Sequence, residues 1–87
     1  MITKIVATEV STPTTAGAAS SISDATCVRL YNNTVGVVTV GISTIVGAAS
    51  TNYFTIPGGT VEILAKPASN VIWTSSAIKA NKVAFTN

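Results

Sequence analysis

From residue 26 onward the chain alternates apolar and polar side chains in short runs separated by turn formers. In TCVRLYN (26–32), Val28 and Leu30 fall on one face and Cys27, Arg29 and Tyr31 on the other, the period-two pattern of a half-buried strand. VVTVGI (37–42) puts Val38, Val40 and Ile42 on one face, and the turn formers Asn32-Asn33-Thr34-Val35-Gly36 between the two runs predict a hairpin. Gly41 within the second run predicts a bulge or a close backbone approach. Residues 43–45 continue or restart a strand before a small-residue turn over 47–51. Then come YFTI (53–56), the turn Pro57-Gly58-Gly59 and a strand over 60–66. Pro57 presets φ and the glycines accept positive φ, so a tight reversal is predicted. On this reading Phe54 and Ile56 face Val61 and Ile63 on a common core side, Glu62 and Lys66 point outward or along an edge, and Pro67 ends the strand. Further strands are predicted over 2–7, over 71–74, and around Ile78 and 83–85.

Short strands with turn signals every eight to twelve residues or so predict an all-β fold: a small antiparallel β-sandwich or barrel of about seven to eight short strands, with an extended N-terminal segment. Val, Ile and Thr number 11, 9 and 14, and β-branched side chains suit a pleated surface. No window carries a helical apolar stripe with caps, and no strand–helix–strand alternation appears. One segment departs from the pattern. Residues 8–25 (TEVSTPTTAGAASSISDA) are mostly Thr, Ser and Ala without a period. The chain therefore divides into an N-terminal strand and arm or loop (1–25) and a sandwich core (26–87), within a single domain. A loop of that length suggests a functional or linking role: an arm that orders against a neighbouring subunit, or a mobile surface loop.

Composition changes this picture in one direction. Eighty-seven residues support one core with a thin stability margin, and chains of this size commonly add disulfides, a metal or a partner. Cys27 is the only cysteine, histidine is absent, and the acids are Glu9, Asp24 and Glu62. Neither an internal disulfide nor a protein-held metal is expected, which leaves association with other chains. Charged residues are 9 % of the chain, against about 25 % in ordinary soluble domains. A surface of small neutral side chains suits close packing against another protein. The start, MITKIVATEVSTP, has no apolar run of signal-peptide length, no window reaches the length of a membrane span, and the lone thiol fits a reducing cytoplasm. Asn32-Asn33-Thr34 matches a glycosylation acceptor but reads as a turn.

Candidate chemistry is sparse. Paired-carboxylate work would fall to Glu9, Asp24 and Glu62, and Glu62 reads better as an exposed strand residue. Cys27 has no histidine to activate it and reads as a small hydrophobe. No nucleophile elbow, SxxK pair or phosphate loop occurs. The chain is expected not to be an enzyme and to hold no cofactor. The five cations are scattered, so nucleic-acid binding is not favoured; its best support is the shared face of Arg29 and Tyr31. Trp73 is the candidate core or interface anchor.

The order TCVRLYNNT, VVTVGI, YFTIPGGTVEILAKP and IKANKVAFTN resembles small β-sandwich virion proteins of tailed bacteriophages, those of cyanobacterial phages above all. The likeness rests on Arg29-Leu30-Tyr31-Asn32-Asn33-Thr34, on Phe54-Thr55-Ile56-Pro57 through Val61-Glu62, on the stop at Lys66-Pro67 and on the tail Lys82-Val83-Ala84-Phe85-Thr86-Asn87. It covers residues 26–87; residues 1–25 contribute little.

The resemblance implies a virion structural role, most specifically a capsid decoration or cement protein on the head surface, made in the host cytoplasm. Its partners would be the major capsid protein and further copies of itself, a trimer favoured, with no membrane and no nucleic acid. Two contact segments follow as expectations: residues 1–24, and an edge strand over 81–87 that pairs with a neighbour by strand addition. The candidate interface residues are Ile2, Lys4, Ile5, Thr8, Pro13, Trp73, Lys82 and Phe85. The alternatives are another virion site (neck, tail or head fibre), a host-surface or glycan binder, and an OB-like single-stranded nucleic-acid module using Arg29 and Tyr31.

Overall fold

The structure, a computed structural model, describes residues 2–47 and 52–86. Most of the turn predicted over 47–51, the chain ends Met1 and Asn87, and the side chains of Ile2, Ala16, Phe85 and Thr86 lie outside the described part. The described residues form eight strands: β1 (Ile2–Ile5), β2 (Val10–Ser11), β3 (Cys27–Tyr31), β4 (Val38–Ser43), β5 (Asn52–Ile56), β6 (Val61–Ala65), β7 (Val71–Thr74) and β8 (Lys79–Thr86). They form two antiparallel sheets. The larger is ordered β1-β8-β3-β6, with β2 also paired to β8; the smaller is ordered β5-β4-β7. The small all-β sandwich predicted from the alternation is the fold found.

The core lies between the sheets. Val28 and Leu30 of β3 and Ala80 of β8 meet Val38 and Val40 of β4, Ile56 of β5 and Ile72 of β7, with Ile22, Ala25 and Ile78 closing the ends. Cys27, Arg29 and Tyr31 alternate outward as predicted. Each fully buried Leu or Ile contributes roughly 1.5–3 kcal/mol, so in a domain this small two or three such residues outweigh any surface contact.

Neither predicted hairpin forms. β3 and β4 belong to different sheets, and so do β5 and β6. Alternation gives the face of a strand but not its partner, and both connections cross the core rather than reverse within a sheet. The glycines of the second crossing have separate causes. A Cβ on Gly58 would lie 2.7 Å from the Val35 carbonyl carbon and oxygen, while Gly59 has φ +77°. Gly41 makes no bulge: β4 pairs in unbroken register with both neighbours, and Gly41 lies opposite Tyr53 and Trp73.

Pairing of β6 with β3 overturns the expectation for Val61, Ile63 and Lys66, while Glu62 is exposed, as expected, on an end strand. Leu64 lies opposite Val28 and Glu62 opposite Leu30, so the even positions of β6 share the core side. Val61 and Ile63, expected in the core, are 43 % and 40 % exposed. Lys66, expected outward, is only 6 % exposed. Its ammonium donates to the carbonyls of Ala25 at 2.7 Å and Asn70 at 2.9 Å, a cage that satisfies a buried cation without a carboxylate in contact. Burial pulls its pKa below the ordinary lysine value, and the nearby charge of Asp24 opposes this.

Residues 8–25 are not a free arm. Thr12 is 3 % exposed, and its hydroxyl meets that of Thr74 at 2.5 Å while accepting the Ile78 amide at 3.0 Å. Thr74 N donates to the Pro13 carbonyl, and Ser20 and Ile72 exchange two backbone bonds. The segment thus runs from β2, beside β8, to the outer edge of β7 and ties the two sheets together. Its turn holds Ile22, Ser23 and Asp24 at φ of 52°, 58° and 55°, a left-handed conformation costly for non-glycine residues and held in place by burial of Ile22 at 3 % exposure.

Candidate interaction surfaces

The strand edges are the places where this sandwich can extend. Ladder bonds alternate sides along a strand, so a few of them fix which groups point outward. Asn32 N donates to Thr60 O and Lys66 N to Thr26 O, which turns the even residues of β6 toward β3. The main-chain groups of Val61, Ile63 and Ala65 therefore face the open edge. On β7 the outward groups are those of Ile72 and Thr74, and Ser20 and Pro13 already partner them. On β5 the outward residues are Tyr53 and Thr55, and the strand is followed by Pro57, which has no N–H. β1 carries the exposed charge of Lys4, a device that discourages pairing.

The predicted interface residues fall into four separate places. Ile2, Lys4, Ile5, Lys82 and Phe85 gather on β1 and β8: Ile2 pairs with Thr86, Lys4 with Ala84, and Thr3 with Phe85. Ile5 is 58 % exposed, and the Lys82 ammonium reaches the Ser23 carbonyl at 3.3 Å. Thr8 is exposed in the link between β1 and β2. Pro13 sits with Thr74 at the sheet-to-sheet tie. Trp73 is half-buried on the outer face of the smaller sheet, outside the core, where it meets Tyr53 edge-on at 6.3 Å between centroids. Both residues lie opposite Gly41 in the sheet register. Over the 81–87 segment β8 pairs with β3 at Asn81 and Lys82 and with β1 from Val83 to Thr86, so it is strand-paired on one side, and Asn87 lies outside the described residues.

Arg29 and Tyr31 do share an outer face, with the guanidinium 5.9 Å from the ring centroid. Arg29 also pairs with Glu9 at 3.4 Å, both partly exposed, so its charge is already partnered within the chain, at a contribution of about 1 kcal/mol or less. Asn32, the glycosylation-like residue, is fully buried. Its amide donates at 2.8 Å to both Gly36 O and Ile56 O.

Sequence reasoning missed the β6 edge because VEILAK has its apolar residues on alternate positions, which reads as a core face. The opposing signal was Leu64, flanked by Glu62 and Lys66 on the other parity. No family model, no curated protein and no solved structure matches this chain.

Proposed function

We propose that this chain is a virion structural protein of a tailed bacteriophage, a decoration or cement protein that binds the assembled head and stabilises its shell. The observation that carries the reading is a two-sheet block whose surface holds few charges and leaves apolar side chains in water. Five basic and three acidic residues serve the whole chain, while Ile5, Ile45, Tyr53, Val61 and Ile63 are all at least 40 % exposed. Such a surface favours protein contacts over free solution. The resemblance of the residue pattern to phage virion proteins supports the reading, and it includes positions that weld the scaffold: Asn32, the Pro57-Gly58-Gly59 crossing and Lys66.

The partners are the major capsid protein and further copies of this chain. The mechanism is mass action, since a protein that binds only the closed shell stabilises that state, and many copies multiply a modest contact. An antibody raised against the recombinant chain tests the location. It should decorate the heads of purified particles of the phage that encodes it. Labelling confined to necks, tails or fibres would move the protein to another virion site, and absence from purified particles would overturn the reading.

A further inference from the structure

We infer that β6 is a self-complementary edge through which two copies of this chain join, antiparallel and two-fold, into one continuous sheet centred on Ile63. Three observations lead there. First, β6 is the end strand of the larger sheet, and the outward groups of Val61, Ile63 and Ala65 supply three N–H donors and three carbonyls along one edge. Second, the strand turns its more apolar face to water: Val61 and Ile63 stand exposed while Glu62 shares the core side with Leu64. Third, the lysine that could blunt this edge is withdrawn, because Lys66 is buried with its ammonium bonded to Ala25 and Asn70. Long, exposed apolar edges are normally protected by charge, proline or a covering loop. β6 has none of these between Pro57 and Pro67 except Glu62.

The register follows from parity and charge. An isologous pair needs residue i opposite j and j opposite i, with outward-bonding residues facing one another. Centring the axis on Ile63 sets Val61 against Ala65, Ile63 against Ile63 and Ala65 against Val61 of the second copy, three bonded pairs that exchange six ladder hydrogen bonds. Glu62 then meets Leu64. Moving the axis to residue 62 drops one bonded pair and brings Glu62 against Glu62, a like-charge pair. Moving it to residue 64 also drops a pair and runs the strand into Pro67. The same alignment joins Val61, Ile63 and Ala65 of both copies into one apolar stripe. It yields a dimer, in place of the trimer implied by the family resemblance, and it stands independently of the virion reading.

The test is the solution mass of the isolated full chain by light scattering. A five-residue edge is a small interface, so association in about the micromolar range is expected, and masses are read from about 10 to 500 µM. The mass should approach twice the 8.8 kDa chain mass at the upper end. Ile63→Lys sets two ammonium groups face to face and should return the mass to that of a monomer, with an unchanged circular dichroism spectrum. Ile63→Pro removes only an outward N–H and should do the same without adding charge. Val35→Lys, in a fully exposed loop position, should leave the dimer intact. A wild-type monomer throughout, a trimer, or a dimer indifferent to both Ile63 variants overturns the inference. None of these results bears on head labelling, so the two proposals fail separately.

Discussion

The side-chain amide of Asn32 donates at 2.8 Å to the Ile56 carbonyl, which ties the end of β3 in one sheet to the end of β5 in the other. The same side chain accepts from the Thr34 amide and hydroxyl, and its backbone carbonyl accepts from Gly59. Both crossings of the core therefore meet on one buried residue. Asn32→Ala leaves the Ile56 and Gly36 carbonyls without this donor, and should cost about 2–4 kcal/mol in urea unfolding, since each buried polar group left unsatisfied costs about 1–3 kcal/mol.

A second tie joins the amino-terminal segment to the sandwich through Thr12. Thr12→Val keeps the volume but leaves the Ile78 amide and the Thr74 hydroxyl without the Thr12 oxygen, and should destabilise by about 2 kcal/mol. Thr12→Ser retains the oxygen and should recover most of that loss. Deleting residues 1–24 removes Thr12 and the buried Ala19 and Ile22 and should abolish cooperative unfolding. Clean two-state unfolding of the truncated chain would contradict the structural role given to this segment.

What the sequence made legible was the face of each strand. Val28 and Leu30 inward with Arg29 and Tyr31 outward could be read from alternation alone, because side-chain direction is a local property. Strand partners could not. The neighbours of β3 are β6 and β8, and nothing within six residues of Tyr31 indicates them; local turn chemistry at 32–36 and 57–59 pointed instead to hairpins. Lys66 illustrates the same limit, since its cage includes Ala25, forty-one positions away. Of the candidate surfaces, Ile5 could be found as exposed and Trp73 as a large half-buried anchor, whereas the β6 edge emerged only from the pairing.

The buried cation gives a pH signature. The pKa of Lys66 is pulled below 10.5 by burial, with Asp24 opposing, so the unfolded chain binds this proton more tightly than the folded one. Stability contributed at this site must rise with pH between the depressed value and 10.5. Lys66→Met leaves the Ala25 and Asn70 carbonyls without this donor and should cost about 2 kcal/mol near neutrality. The stability difference between wild type and Lys66→Met should widen in favour of wild type as pH rises through the depressed value toward 10.5; a difference that narrows would contradict the assigned environment.

Backbone strain at Ser23 predicts a gain. Its φ of 58° suits glycine, and its side chain is exposed. Ser23→Gly should stabilise the fold by about 1 kcal/mol, the size of the left-handed penalty it removes. Gly59→Ala, at φ +77°, should shift thermal unfolding in the opposite direction by a similar amount.

The shell itself provides the most direct measurement. Heads prepared without this protein, incubated with the purified chain and heated, report whether its binding stabilises the closed particle. Saturable binding of many copies per head together with a rise in the temperature of DNA release is the outcome expected of a decoration protein. Heads that neither bind the chain nor change in thermal stability would contradict that role.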